Sequence, residues 1–215
     1  MTECVVVDYG IGNVYSVLHA FQSCGANVEL TSDHAKIMNA DRLVLPGVGA
    51  FGRAAERLRE TGLDEALLRF ADSGRPLLGI CVGMQLMMKT GLEFGVYDGL
   101  GLFDGEVAQV ANQHRNGTRL RVPLIGWSPL SLAAEHAPDR WNGTPLQDCP
   151  IDNGFYFVHS FAAKPTDPNA ILAITKHGET EVVAAIQRDN VIGVQFHPER
   201  SADQGLKFLD AFLAL

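Results

Sequence analysis

No stretch of these 215 residues stays apolar long enough to cross a bilayer as a helix, and no membrane partner is expected. The opening Met1-Thr2-Glu3-Cys4 lacks the basic start of a secretory signal, so cytoplasm is the expected compartment. Cysteine is scarce. The four present (Cys4, Cys24, Cys81, Cys149) show no CxxC and no metal-like spacing, which excludes a disulfide framework and fits a reduced compartment. The histidines are scattered, with no HExxH or Cys/His grouping, so neither a metal nor a cofactor is expected. Basic charge is also in deficit, and a formal net charge of −8 argues against nucleic acid as a partner. Repeats and low-complexity segments are absent. The sequons Asn116-Gly117-Thr118 and Asn142-Gly143-Thr144 read as loops.

What is present is a chain with 47% hydrophobic and 20% charged residues, enough for one compact domain over 1–215. Its first half alternates strand and helix. Strands are expected at Glu3 to Asp8, Asn27 to Leu30, Arg42 to Leu45 and Leu77 to Ile80. Helices are expected at Asn13 to Cys24, Ala54 to Arg59 and Leu63 to Ser73, the last with an apolar stripe of Leu63, Leu67, Leu68 and Ala71. Such an order predicts an α/β fold, a doubly wound, mostly parallel sheet with ligands gathered at the carboxyl ends of its strands. From about Glu106 to Gln195, short apolar runs alternate with turn residues and predict antiparallel additions to the sheet. Leu130 to Asn153 reads as a long surface excursion. Ser201 and Gln204 read as a capping box opening a final helix with Leu206, Leu209 and Leu213 on its buried side.

One junction stands out. The strand ending at Ile80 runs into Gly79-x-Cys81-x-Gly83, the strand-turn-helix elbow that carries a nucleophile, with cysteine where many hydrolases carry serine. The flanking glycines would let the backbone turn tightly. A helix N-terminus beside the sulfur would favour the reactive thiolate. The other cysteines, Cys4, Cys24 and Cys149, are expected to be buried small hydrophobes. Far along the chain, His197-Pro198-Glu199 offers a base and a group to orient it. At i and i+2 of an extended segment both side chains would point to one side, so the imidazole could face the thiol while the carboxylate takes its other N–H.

Pro46-Gly47-Val48-Gly49-Ala50-Phe51-Gly52 reads literally as GxGxxG after a strand. It sits on the third strand, with no acidic residue closing a strand about 20 positions later, so it fits a dinucleotide fingerprint poorly. The alternatives are a plain strand–helix turn, or a loop aiming the Val48 N–H at a developing oxyanion beside the amide of Val82. Gln85 lies one helical turn after Cys81, near the same pocket.

Together these segments resemble the class I, triad-type glutamine amidotransferases, and more narrowly the glutaminase subunits of imidazole glycerol phosphate synthases. Besides the elbow and Gln195-Phe196-His197-Pro198-Glu199, the resemblance is carried by Asp8-Tyr9-Gly10-Ile11-Gly12-Asn13, the Pro46–Gly52 loop, Gly126-Trp127 and Tyr156-Phe157-Val158-His159-Ser160. The resemblance implies that Cys81 attacks the side-chain amide of L-glutamine, that His197 passes a proton to the leaving ammonia, and that water releases glutamate from a thioester. It implies that Gly49, Gln85 and Glu93 hold the substrate, with Ser160 and Phe161 doing so through backbone. It also implies a heterodimer with a (β/α)₈ cyclase that receives the ammonia for histidine biosynthesis. The partner face expected from it runs from Tyr9 to Asn13, Gly10 and Asn13 included, with Trp127, Tyr156 and Arg200. Arg200 stands where the family usually has lysine, Leu124 where histidine is common, and Phe161 for a usual tyrosine. Related subunits serving amidino-sugar synthesis share the scaffold. A γ-glutamyl or cysteine hydrolase, or a non-catalytic homologue, are the readings from other classes.

Overall fold

Runs of β-branched residues and leucine, buried on both faces, build the centre of the molecule. The computed structural model describes residues 3–133, 137–149 and 154–215. In chain order the elements of the first half are β1 (Glu3–Val7), α1 (Val14–Ser23), β2 (Asn27–Thr31), α2 (His34–Asn39), β3 (Arg42–Leu45), α3 (Phe51–Thr61), α4 (Leu63–Asp72), β4 (Leu77–Ile80) and α5 (Val82–Leu86). Then follow β5 (Met88–Gly91), β6 (Tyr97–Asp98), β7 (Phe103–Gln109), β8 (Leu124–Pro129), β9 (Gly154–His159), β10 (Phe161–Pro165), β11 (Ile171–His177), β12 (Thr180–Arg188), β13 (Val191–Val194) and α6 (Ala202–Leu213).

The main sheet has seven strands in the order β11-β12-β13-β4-β3-β1-β2. The pairs β1–β2, β1–β3, β3–β4 and β4–β13 are parallel, while β11–β12 and β12–β13 are antiparallel. Central β4 therefore lies between β3 and β13, and the carboxyl ends of all three open on the same edge. That edge is where an α/β sheet gathers its ligands.

The antiparallel additions expected for the second half are only partly part of this sheet. β11 to β13 extend it, but β10-β7-β5-β6 and β8-β9 form separate sheets. The excursion after Leu130 does not stay on the surface: Trp141, Leu146 and Cys149 are buried, and the Trp141 indole N–H donates to the Leu172 carbonyl at 2.7 Å. Its segments 134–136 and 150–153 lie outside the described residues. On α4, Leu68 faces outward, and Ala66 and Phe70 complete the buried stripe instead.

The expected capping box is not formed. Ser201 is fully buried, its hydroxyl donates to the His197 carbonyl at 2.6 Å and accepts the Tyr156 N–H at 2.9 Å, so it braces the His-Pro-Glu corner rather than the helix. Ala202 then takes φ +46° to start α6. The short helix α2 had no readable periodicity in its six residues; Asp33 caps it by accepting the N–H groups of Ala35 and Lys36.

Candidate active site

The elbow forms, though the tight turn is not made by its glycines. Cys81 itself adopts φ +55° with ψ −111°, a strained conformation for a residue with a side chain. The glycines give room. A Cβ on Gly83 would overlap the Leu45 carbonyl, and one on Gly79 would lie 2.8 Å from the backbone of Gly83. The Cys81 N–H donates to Val194 O at 2.7 Å, locking the turn onto β13.

β13 leads into Gln195-Phe196-His197, and a 3₁₀ turn at Pro198–Arg200 swings the carboxylate back to the ring. His197 Nδ1 meets Glu199 Oε1 at 2.8 Å, with side chains only 5% and 3% exposed. The contact is the expected one, but the route differs: a turn, not an extended segment, brings the pair together. The other ring nitrogen, Nε2, is buried with no partner at standard hydrogen-bond geometry. Burial opposes charge on this imidazole. Hydrogen bonding and charge from Cys81 and Glu199 outweigh it and raise the pKa to about 10. The Cys81 side chain is thus one of the two groups that favour a proton on His197.

The remaining cysteines contrast with Cys81. Burial pushes the thiol of Cys4 up to about 12 and that of Cys149 up to about 11, the behaviour of inert core cysteines. Cys24 is only half-buried, contrary to expectation, with its sulfur 3.5 Å from the Leu206 carbonyl.

Cys81, His197 and Glu199 open on a cavity of about 260 Å³. Val48, Gly49 and Val82 line it. Gly49 holds φ +88°, a conformation that favours glycine. Gln85, Glu93, Ser160 and Phe161 line it too. Glu93 has a partner that sequence did not suggest: its Oε2 accepts the Phe51 N–H at 2.7 Å, at the start of α3. Gln85 is likewise engaged, its Nε2 donating to Phe161 O at 2.9 Å and to Gln195 Oε1 at 3.0 Å.

Of the expected partner face, Asn13 and Arg200 reach the cavity mouth. Trp127 is 55% exposed, packs edge-on against Tyr156 at 6.2 Å, and the Arg200 guanidinium lies 4.4 Å over the Tyr156 ring. Gly10 is exposed, but Tyr9 is buried, its hydroxyl donating to Pro46 O, and it drops out of that face. Leu124 is buried opposite His159.

Sequence reasoning misses His159 and Gln195 as site residues, although they stand within Tyr156-Phe157-Val158-His159-Ser160 and Gln195-Phe196-His197-Pro198-Glu199. His159 lines the cavity, shares the Phe161 carbonyl through Nδ1, and leaves a buried Nε2 unpartnered. Burial lowers its pKa to about 4, so its neutral ring offers Nε2 as an acceptor. Among the described residues no group of three or more His, Cys, Asp or Glu could hold a metal.

Residues 5–214 match the family "Glutamine amidotransferase class-I". The chain belongs to that family. A relative from Legionella pneumophila (strain Lens), "Imidazole glycerol phosphate synthase subunit HisH 1", is 43% identical over 215 residues, covering all of both chains. The subunit HisH of Geobacter sulfurreducens is 39% identical, over 99% of this chain and 98% of its own. A solved structure of PurLQS from Thermotoga maritima superposes with a TM-score of 0.73 at 21% identity, covering 99% and 98% of the two chains, which establishes the shared fold. The amidotransferase thus has the α/β fold expected of it, and among its described residues no helix is long and apolar enough to cross a membrane.

Proposed function

We propose that this amidotransferase is the glutaminase subunit of an imidazole glycerol phosphate synthase, hydrolysing L-glutamine at Cys81 and passing ammonia to a separate cyclase subunit in histidine biosynthesis. The observation that carries the chemistry is the strained Cys81 beside a His197–Glu199 pair in one cavity. The full-length HisH relatives carry the pathway. We read residues 1–215 as one domain, working in the cytoplasm.

The Cys81 sulfur attacks the side-chain amide carbon of glutamine, and the carbonyl oxygen becomes an oxyanion facing the N–H groups of Val48 and Val82. His197 gives its Nε2 proton to the amide nitrogen, the C–N bond breaks, and ammonia leaves a γ-glutamyl thioester. Water then loses a proton to His197 and attacks the thioester, which releases glutamate and restores the thiol. Glu199 holds Nδ1–H throughout, fixing the tautomer that puts Nε2 toward the sulfur. Gly49, Gln85, Glu93, Ser160 and Phe161 hold the substrate, Gln85 through its remaining Oε1.

The cyclase docks over Gly10, Asn13 and the Trp127–Tyr156–Arg200 stack, because aromatic and arginine side chains are what interface centres favour. Ammonia needs such a closed transfer since, once protonated in water, it is no longer a nucleophile. Docking turns the Val48 peptide toward the oxyanion, and one missing donor there costs roughly 10²–10³ in rate.

The test is glutamate release with and without a ligand-bound cyclase subunit. The expected result is low activity alone, strong stimulation by the partner, and none in Cys81→Ala under either condition. Glutamate release by Cys81→Ala would overturn the chemistry, and equal turnover with and without the cyclase would overturn the coupling.

A further inference from the structure

Gln195 is completely buried at the end of β13, two residues before His197. Its Nε2 lies 3.6 Å from the Cys81 sulfur, and among the described residues that sulfur is its hydrogen-bond acceptor. Its Oε1 accepts from Gln85 Nε2 at 3.0 Å, and the same Gln85 nitrogen donates to the Phe161 carbonyl at 2.9 Å.

The direction of this chain is fixed by its far end. A backbone carbonyl can only accept, so Gln85 must turn its nitrogen toward Phe161. The second hydrogen of that nitrogen then requires the oxygen of Gln195. The Gln195 nitrogen is left facing sulfur, and flipping either amide would set like against like. A thiol accepts hydrogen bonds weakly, whereas a thiolate is an ionised acceptor whose hydrogen bonds are stronger. A donor held against sulfur therefore favours the thiolate over the thiol.

We propose that Gln195 is a catalytic residue, an amide donor that stabilises and aims the Cys81 thiolate, held in place by Gln85 and the Phe161 carbonyl. The proposal rests on Cys81 being the nucleophile. Its consequence is that the carbonyl beside the substrate-binding corner and the reacting sulfur are joined by two side chains.

Alkylation of Cys81 by iodoacetamide needs no glutamine, so it reads the sulfur separately from glutaminase activity. Gln195→Glu keeps an acceptor for Gln85 while replacing the donor to sulfur with a carboxylate; Gln195→Met removes both contacts. Both should alkylate about 10-fold or more slowly at neutral pH, with the pH profile displaced upward, since a hydrogen bond to a charged group is worth at least that factor. Glutamine turnover should fall in kcat more than KM changes. Wild-type alkylation rate and pH profile in Gln195→Glu would overturn the proposal while leaving the glutaminase reading standing.

A second measurement needs no change at Gln195. With ¹⁵N-labelled glutamine side chains, the Gln195 amide signals should shift with pH in the unaltered protein and lose that dependence in Cys81→Ala. Signals that are identical in the two proteins across pH would sink the idea even if every Gln195 variant failed to fold.

Discussion

Two strand-to-helix corners meet in the cavity, and they solve one problem by different means. The elbow after β4 and the corner after β13 each force a residue with a side chain into positive φ, Cys81 at +55° and Ala202 at +46°. At the elbow, the strain is permitted by empty space: Gly79 and Gly83 let backbones approach where a Cβ would collide. At the second corner, the strain is held by a buried hydroxyl: Ser201 ties the His197 carbonyl to the Tyr156 N–H across two elements. The first solution excludes side chains and is written locally. The second also needs a glycine, since a Cβ on Gly205 would overlap the Pro198 carbonyl, and in addition it recruits a partner 45 residues away.

Adding one methyl group at the elbow is the severest way to break this comparison. Gly83→Ala should leave little folded protein, because the Leu45 carbonyl belongs to β3 in the middle of the sheet and has nowhere to move. A loss of about 4 kcal/mol or more is the scale of such an unrelieved core clash. Soluble yield and urea denaturation would measure it, and a variant of near wild-type stability would show that the elbow tolerates a Cβ.

This contrast also explains what was legible in the sequence. Glycines on both sides of Cys81 announce a close approach, so the elbow and the parallel sheet behind it could be read from residues alone. So could the meeting of His197 and Glu199, although a turn achieves it and not the extended backbone that the i, i+2 spacing suggests. Ser201 was misread for a related reason: serine three residues before Gln204 has the pattern of a helix cap, and nothing local reveals that its hydroxyl faces β9 instead. Gln195 acquires its side-chain partners only from residues far away in the chain, and His159 reaches the cavity through the fold although its own partner, the Phe161 carbonyl, is local. Trp141 and Leu146, inside a segment rich in turn residues, gave no period to mark them as core.

The second corner should fail more gently. Ser201→Ala leaves the Tyr156 N–H without its acceptor, while the His197 carbonyl keeps the Arg200 N–H at 3.0 Å. A cost of roughly 1–3 kcal/mol follows from one buried donor left unsatisfied. Glutamine turnover should fall as well, since the hydroxyl fixes the backbone of the base. Ser201→Thr keeps the hydroxyl and should recover part of both losses. Equal effects of Ala and Thr would mean that packing, not hydrogen bonding, holds the corner.

The smallest effect is a pH dependence to which two histidines of the same cavity contribute, one on each limb. His197 has a pKa raised from 6.5 to about 10, so the folded state holds a proton that the unfolded chain gives up over that range. Its stabilisation is fully present below about 6.5 and is lost as pH rises toward about 10. His159 has a pKa lowered from 6.5 to about 4, chiefly by burial, so the unfolded chain takes up a proton that the folded state refuses. Its contribution is present above about 6.5 and is lost as pH falls toward about 4. Denaturation midpoints across pH should therefore decline on both sides of a maximum between these ranges. Glu199→Gln removes the negative partner of His197 and should make the alkaline limb shallower without changing the acid one, whereas His159→Gln, with no ring to protonate, should make the acid limb shallower without changing the alkaline one. An alkaline limb unchanged in Glu199→Gln would mean that Cys81 alone holds the proton on His197, and the corner after β13 would then contribute position but no charge to the site.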